Sequence, residues 1–172
     1  MSNVLRGLRF VWHAKIFLQR LLVALAGIGL TALIFTQVVS RYVFETAIFG
    51  VEEVACYIAV WMYFLGASLG AEQRGHMSAS LVELLLRGDF AQRVVRLLVC
   101  ALSVLLCGWM AVWAWNLARW SLKFGMMSTE VNLPVGYAQL AMPVGLGLMT
   151  LYFLFELIEL IVHWKRDPIS ND

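Results

Sequence analysis

The chain has 172 residues, of which 62% are hydrophobic and only 14% are charged, and its formal net charge is +2. Soluble domains carry about 45–50% apolar and about 25% charged residues, so this composition excludes an ordinary water-soluble fold. Three cysteines without a CxxC spacing argue against a disulfide framework or a zinc site. We therefore predict a single all-α integral membrane domain over residues 1–172.

The N-terminal lead, residues 1–20, is predicted to lie on the cytoplasmic membrane surface. Its four basic residues are interspersed with aromatic ones, a pattern typical of segments whose rings lie at headgroup depth. Such sparse charges beside a hydrophobic helix do not favour nucleic-acid binding. The apolar run over residues 21–39 is longer than the core of a signal peptide, about 7–15 residues, and is predicted to be an uncleaved first transmembrane helix.

The second predicted transmembrane helix covers residues 54–71 and carries a stripe of small residues at helical spacing. Small residues let helices in lipid approach closely, so this face is expected to pack on another helix of the bundle or on a partner. The stripe consists of Ala55, Ala59, Gly66 and Gly70.

An acidic pair, Glu52 and Glu53, stands at the entry of this helix. Carboxylates at a helix N-terminus are favoured by unpaired N–H groups and the helix dipole, which is the local interpretation. The alternative is that one of them pairs with a basic group such as Arg41, or reaches a partner chain. Both interpretations are open on the sequence.

Two further elements follow the second helix. Residues 77–87 are too few to span a membrane and are predicted to form a short interfacial helix that ends at Gly88. The third transmembrane helix is predicted over residues 94–117. Four tryptophans cluster near its end: Trp109, Trp113, Trp115 and Trp120. Indole rings prefer the membrane–water boundary, so this end is predicted to lie near the headgroups. The alternative is that the four rings form a cage that stacks on a ligand.

The fourth predicted transmembrane helix covers residues 135–163 and is followed by a cytoplasmic tail over residues 165–172. The turn at 132–134 precedes it, and Pro134 suits the first turn of a helix because its missing N–H costs nothing there. Pro143 is expected to kink this helix, since it removes one hydrogen bond.

The distribution of basic residues predicts that both termini are cytoplasmic. With that orientation ten of the thirteen Lys and Arg residues lie inside, and only Arg41, Arg119 and Lys123 lie outside. Cytoplasmic segments of membrane proteins are enriched in basic residues. We therefore predict a four-helix bundle with its N- and C-termini inside.

The sequence offers no obvious chemistry. His13, His76 and His163 all lie at predicted cytoplasmic ends, so a buried pair of heme ligands is not expected, and no P-loop, HExxH, GxSxG or dinucleotide motif occurs. We therefore predict no enzyme activity, catalytic residue, cofactor or metal. Glu156 and Glu159 are the acidic residues inside a span, and they leave open a proton-coupled exporter. A membrane anchor of a redox complex is the other alternative.

Several ordered pieces of the chain match one family. They are the RYVF exit of helix 1 at Arg41, the Glu52–Glu53 pair, the WMYFLGAS stretch from Trp61, the Arg-x-His exit at Arg74 and His76, and the late NLP…AMPVG entry of helix 4. With these pieces the chain resembles the small membrane subunit, the DctQ-type or Q component, of tripartite ATP-independent periplasmic (TRAP) transporters. It departs from the family at residues 49–51, where a Trp is often found.

The resemblance implies a scaffold role beside a large sodium-coupled permease subunit (the M component) of the elevator type. It also implies a periplasmic binding protein (the P component) that delivers an organic acid, such as a C4-dicarboxylate or a sialic acid, for symport across the bacterial inner membrane. Candidates for the contact with the large subunit are Arg41, Glu52, Glu53, Ala59, Trp61, Gly66, Gly70, Arg74 and His76. Candidates for the contact with the binding protein are Arg41, Arg119 and Lys123.

Overall fold

A computed structural model describes residues 2–46, 48–85 and 89–166, with side chains described for residues 14–46, 48–72, 92 and 94–162. Its elements are all helical: α1 Ser2–Tyr42, α2 Val51–Leu85, α3 Asp89–Lys123, α4 Val135–Gln139 and α5 Ala141–Arg166. Within these ranges no β-strand is present, and one isolated bridge joins Met127 to Pro134.

Four helical segments are long and apolar enough to cross a membrane: Ala14–Tyr42, Val51–Glu72, Val94–Lys123 and Val135–Val162. A bilayer core about 30 Å thick requires about 20 predominantly apolar residues, and each segment meets that length. The predicted all-α fold with four transmembrane helices is therefore confirmed, and the chain is a multi-pass membrane protein.

The helices extend further than the apolar runs alone predict. Helix α2 has 35 residues and continues without a break through Leu85, so the separate interfacial helix predicted over residues 77–87 is wrong where the chain is described; residues 86–88 lie outside the described part. The one helix breaker in the predicted gap is Gly75, which costs a helix only about 0.8–1.0 kcal/mol relative to Ala. In the same way α1 already includes residues 2–20, although their position on the membrane surface stays a prediction.

The fourth span consists of two consecutive helices. Helix α4 ends at Gln139 and α5 begins at Ala141, with Leu140 between them. Pro143 has no N–H to donate to the carbonyl of Gln139, which is why the regular helix is interrupted there. Backbone bonds continue across the interruption, from Leu140 N to Gly136 O at 2.9 Å and from Val144 N to Leu140 O at 3.3 Å.

Helix α5 is the centre of the bundle, because α2 and α3 both pack against it, while α1 packs against α2. Helices α2 and α5 approach closely at Gly145, where an added Cβ would lie 2.6 Å from Phe64 Cβ and 2.8 Å from Phe64 O. Only glycine allows that distance between the two backbones.

The interior of the bundle is built from small residues and the exterior from large apolar ones. Buried positions include Ala55, Ala71, Ala114, Ala118 and Ala141. Exposed positions on α3 include Leu102, Leu105, Trp109, Val112 and Trp113. This distribution is typical of helices in lipid, where close van der Waals contact rather than burial of large apolar side chains holds helices together.

Candidate functional site

The connections that follow α1 and α3 meet at one end of the bundle, opposite the N-terminus of α1. The second connection, residues 124–134, forms a turn held by its own backbone: Ser128 N donates to Leu133 O at 2.8 Å, and Val135 N donates to Met126 O at 2.9 Å. Asn132 has φ 54°, a left-handed conformation that asparagine tolerates better than most residues. The chain therefore turns at residues 129–131, just before the turn predicted at 132–134.

The carboxylate of Glu53 holds this turn from α2. It accepts a hydrogen bond from the Ser128 hydroxyl and from the backbone N–H groups of Thr129 at 3.1 Å, Glu130 at 3.1 Å and Val131 at 3.0 Å. Successive backbone N–H groups of a turn form a concavity that suits an anion. Glu53 therefore has a role within the chain that the sequence did not predict. Its carboxylate accepts hydrogen bonds from the backbone of residues 129–131, whereas the sequence suggested that it caps its own helix or pairs with Arg41 or a partner chain.

Glu130 of the same turn makes a second contact, with the start of α2. Its Oε2 accepts a hydrogen bond from Gly50 N at 2.8 Å, at the entry of α2. Gly50 has φ +83°, and a Cβ there would collide with the Val131 side chain, so the position requires glycine for both conformation and space. Sequence reasoning did not single out Glu130, because its partner lies 80 positions away.

Two more side chains of α2 extend this contact along the helix. Tyr57 donates its hydroxyl hydrogen to Leu133 O at 3.2 Å, and Trp61 donates its indole N–H to Tyr137 O at 3.1 Å. Glu53, Tyr57 and Trp61 are spaced by four residues and so lie on one face of α2. We call these three residues the α2 ladder. Their spacing of four is visible in the sequence and could have predicted that one face of α2 makes polar contacts.

The small-residue stripe lies on a different side of α2 from the ladder. Gly66 and Gly70 have no described atom within 4 Å of an added Cβ, so no described helix of this chain packs against them. Nearby Tyr63 and Ala67 are also exposed. The stripe is thus open at one end, while Ala55 at its other end is buried.

The remaining candidate positions have separate locations. Arg41, Glu52, Arg119 and Lys123 are exposed, and among the described residues none of them forms an ion pair within 4.0 Å. The side chains of Arg74 and His76 lie outside the described part. Arg41, Arg119 and Lys123 do fall at the same end of the bundle, at the last turns of α1 and α3.

A second polar cluster joins three helices near the other end. Gln19 of α1 is buried and donates to Leu65 O at 3.1 Å and to the Ser68 hydroxyl, while the Tyr152 hydroxyl donates to Gln19 Oε1 at 3.2 Å. Lys15 Nζ lies 4.5 Å from the centroid of the Tyr152 ring. These contacts connect α1 with α2 and α5.

Other residues with chemical interest are dispersed. In the described part of the chain no group of three or more His, Cys, Asp and Glu side chains is placed to hold a metal ion. Glu156 is partly buried and Glu159 is exposed. The four tryptophans of α3 are all at least half exposed, so they form no enclosed cage.

The chain is similar in sequence to known proteins over most of its length. Residues 30–163 match the family described as the DctQ component of tripartite ATP-independent periplasmic transporters. The chain is also similar to a Haemophilus influenzae protein whose name describes it as a TRAP transporter small permease protein. The two are 24% identical over 141 residues, which cover 82% of this chain and 86% of the relative.

Proposed function

Because this chain belongs to the DctQ component family of TRAP transporters, we propose that it is the static small subunit that braces a large sodium-coupled permease subunit. In this proposal the large subunit carries an organic acid, of the C4-dicarboxylate or sialic acid kind, which a periplasmic binding protein delivers. The family match over residues 30–163 is the observation that carries the proposal.

The structure supports a bracing role in two respects. The α2 ladder fastens the connection before α4 to α2, and the contact of Gly145 with Phe64 brings α5 against α2 without intervening side chains. Close-packed interiors resist deformation and change only between discrete arrangements. A domain that moves across the bilayer requires such a fixed neighbour.

The contact with the large subunit is proposed along the open side of α2. Small residues in lipid are favoured at helix–helix interfaces, whereas the bulky Leu and Trp residues of α3 suit lipid tails. Gly66 and Gly70 lie on this open side, together with Ala59 and the exposed Glu52. Arg41, Arg74 and His76 remain proposed neighbours of the same contact, whereas Glu53 and Trp61 already bind the chain's own backbone.

The orientation follows the distribution of basic residues. We place both termini in the cytoplasm of a bacterium and the two connections, 43–50 and 124–134, on the periplasmic side of the inner membrane. There Arg41, Arg119 and Lys123 would be available to acidic groups of the binding protein. Exposed ion pairs of this kind are weak and depend on salt. Lowering the ionic strength should therefore strengthen docking.

The experiment compares solute uptake by three preparations in liposomes: the small subunit alone, the large subunit alone, and both together, each with the binding protein and a sodium gradient. The proposal expects uptake only from the joint preparation and co-purification of the two membrane subunits. Uptake by the small subunit alone would instead favour the proton-coupled exporter. A visible heme or flavin spectrum of the purified chain would favour the redox anchor. On the proposed assignment the chain catalyses no reaction.

A further inference from the structure

Helix α1 lies at one edge of the bundle. Among the described residues its backbone approaches only that of α2, whereas α5 packs against both α2 and α3. None of residues 20–39 is buried. Lipid tails are as apolar as the side chains of α1, so apolar burial supplies no strong force that would hold this helix in one place. Its position has to be fixed by more specific contacts.

The contact midway along α1 is not of that kind. A Cβ added at Gly27 would lie 3.6 Å from Met62 Sδ of α2. Methionine has a flexible side chain that adapts to irregular gaps. Beyond this point a gap of about 260 Å³ separates the last turns of α1 from the first turn of α2. A shift of α1 along or around its axis would therefore meet little resistance from the apolar contacts in this half of the helix.

The specific contact is made by Gln19, near the opposite end of the bundle. Gln19 is 5% exposed, and its partners Ser68 and Tyr152 are 0% and 5% exposed. The Gln19 amide nitrogen donates to Leu65 O at 3.1 Å and to the Ser68 hydroxyl. The Gln19 amide oxygen accepts a hydrogen bond from the Tyr152 hydroxyl at 3.2 Å. The amide is thus paired with α2 through its nitrogen and with α5 through its oxygen, and a satisfied buried network of this kind specifies one arrangement.

The other polar contacts of α1 are either at the same end or within the helix itself. An ion pair joins Arg20 Nη2 to Glu72 Oε2 of α2 at 3.9 Å. The hydroxyls of Thr31 and Thr36 donate to carbonyl groups of α1. Among the described residues, no side-chain hydrogen bond or ion pair joins positions 21–42 to α2 or α5. The polar contacts that join α1 to its neighbours are therefore confined to one short stretch.

We infer that Gln19 sets the register of α1, which is its position along and around its own axis relative to α2 and α5. A single buried polar side chain can select one register of a coiled coil in the same way, at some cost in stability. This inference goes beyond the proposed function, because it concerns how the isolated chain positions its first helix and would hold whatever partner the chain has.

The alternative is that the contacts of Gln19 only stabilise the fold. Hydrogen bonds between helices in lipid contribute modestly to stability. Replacement of a whole buried polar network by apolar side chains often changes stability little. A register role therefore predicts that α1 changes position when the network is removed, even where stability is kept. A purely stabilising role predicts a lower unfolding midpoint with α1 in its original position.

The test removes the network with the double substitution Gln19→Leu and Tyr152→Phe. Ser68 still donates to Leu65 O of its own helix at 2.8 Å, so the substitutions leave the Ser68 hydroxyl paired. The chain is studied in liposomes, after its three cysteines have been replaced by Ala and new ones have been introduced for spin labels. Distances between labels are measured by pulsed electron paramagnetic resonance, and thermal unfolding is followed in parallel.

Two pairs of exposed positions receive the labels. The pair Phe35 and Tyr63 reports the position of α1 against α2, and the pair Tyr63 and Val144 reports the position of α2 against α5. Before the double substitution we expect one distance for each pair. After it, the first pair should show an additional distance displaced by up to about 5 Å, the rise of one helical turn. The second pair and the unfolding midpoint should stay unchanged.

Thr31→Val is the matched control on the same helix. It removes a hydroxyl that donates to Gly27 O of α1 at 2.9 Å and should leave a single distance for both pairs. A new distance in this control would overturn the inference, because loss of any polar group from α1 would then be sufficient.

The distances decide the outcome. A single unchanged distance between Phe35 and Tyr63 after the double substitution would overturn the inference, and a lower unfolding midpoint with it would indicate a purely stabilising role. A simultaneous change in both pairs would also overturn it, since the whole bundle would then have loosened. A new distance confined to the pair that includes α1 is the result that supports the inference.

Discussion

Replacement of Gly145 by Ala tests whether close contact between α2 and α5 holds the bundle together. The added Cβ would lie 2.6 Å from Phe64 Cβ, 2.8 Å from Phe64 O and 3.0 Å from Phe64 C. Favourable separations between carbon atoms are about 3.5–4.0 Å, so the two helices would have to separate by about 1 Å. Two of the three atoms belong to the backbone, and no side-chain rotation can relieve the contact.

The expected cost is that of overpacking, about 1–3 kcal/mol of unfolding free energy. Ala favours a helix over Gly by about 0.8–1.0 kcal/mol, which offsets part of that cost. We expect Gly145→Ala to lower the thermal unfolding midpoint of the purified chain by several degrees, and Gly145→Val to lower it further. Proximity of labels on α2 and α5 should decrease in parallel.

Gly147 provides the matched control on the same helix. No described atom lies within 4 Å of a Cβ at that position, so Gly147→Ala gains helix propensity without a collision. It should be as stable as the wild type or slightly more stable. Equal unfolding midpoints for Gly145→Ala and Gly147→Ala would refute the reasoning, because they would mean that the helices separate at no cost.

Three further predictions concern the α2 ladder and Glu156 of the last span. Glu53→Ala should increase the rate of hydrogen–deuterium exchange at residues 129–131, because their amides lose their acceptor. Glu52→Ala should leave that rate unchanged. Equal exchange rates in the two variants would contradict the hydrogen bonds between Glu53 and this turn. Trp61→Phe removes one hydrogen bond and should lower the unfolding free energy by about 0.5–1.5 kcal/mol in chemical denaturation, so an unchanged free energy would argue against that bond. Glu156→Gln should leave sodium-driven uptake by the reconstituted complex intact; loss of uptake would point to proton transfer through this chain.

The number and type of the helices were predictable from the sequence because the bilayer imposes a simple requirement. An apolar stretch of about 20 residues can satisfy its backbone in lipid only as a helix, and four such stretches are present. The ends of the helices were less predictable, since polar residues beyond the bilayer can continue a helix as well as terminate it. Gly75 was too weak a breaker to separate the predicted interfacial helix from α2.

The contacts between distant segments were largely hidden in the sequence. Glu53 was recognised as exceptional, but its partners lie 75–78 positions further along the chain, in a turn whose amides carry no side-chain signature. Glu130 stood out even less, because its acceptor role depends on the conformation of Gly50.

The reciprocal tie between Glu53 and Glu130 has a mechanical consequence. One carboxylate projects from α2 to the turn after α3, and the other projects from that turn back to the start of α2. A force on either connection is therefore transmitted to both α2 and the turn that follows α3. A protein that docks at this end of the bundle would therefore contact one cross-linked surface rather than two independent loops.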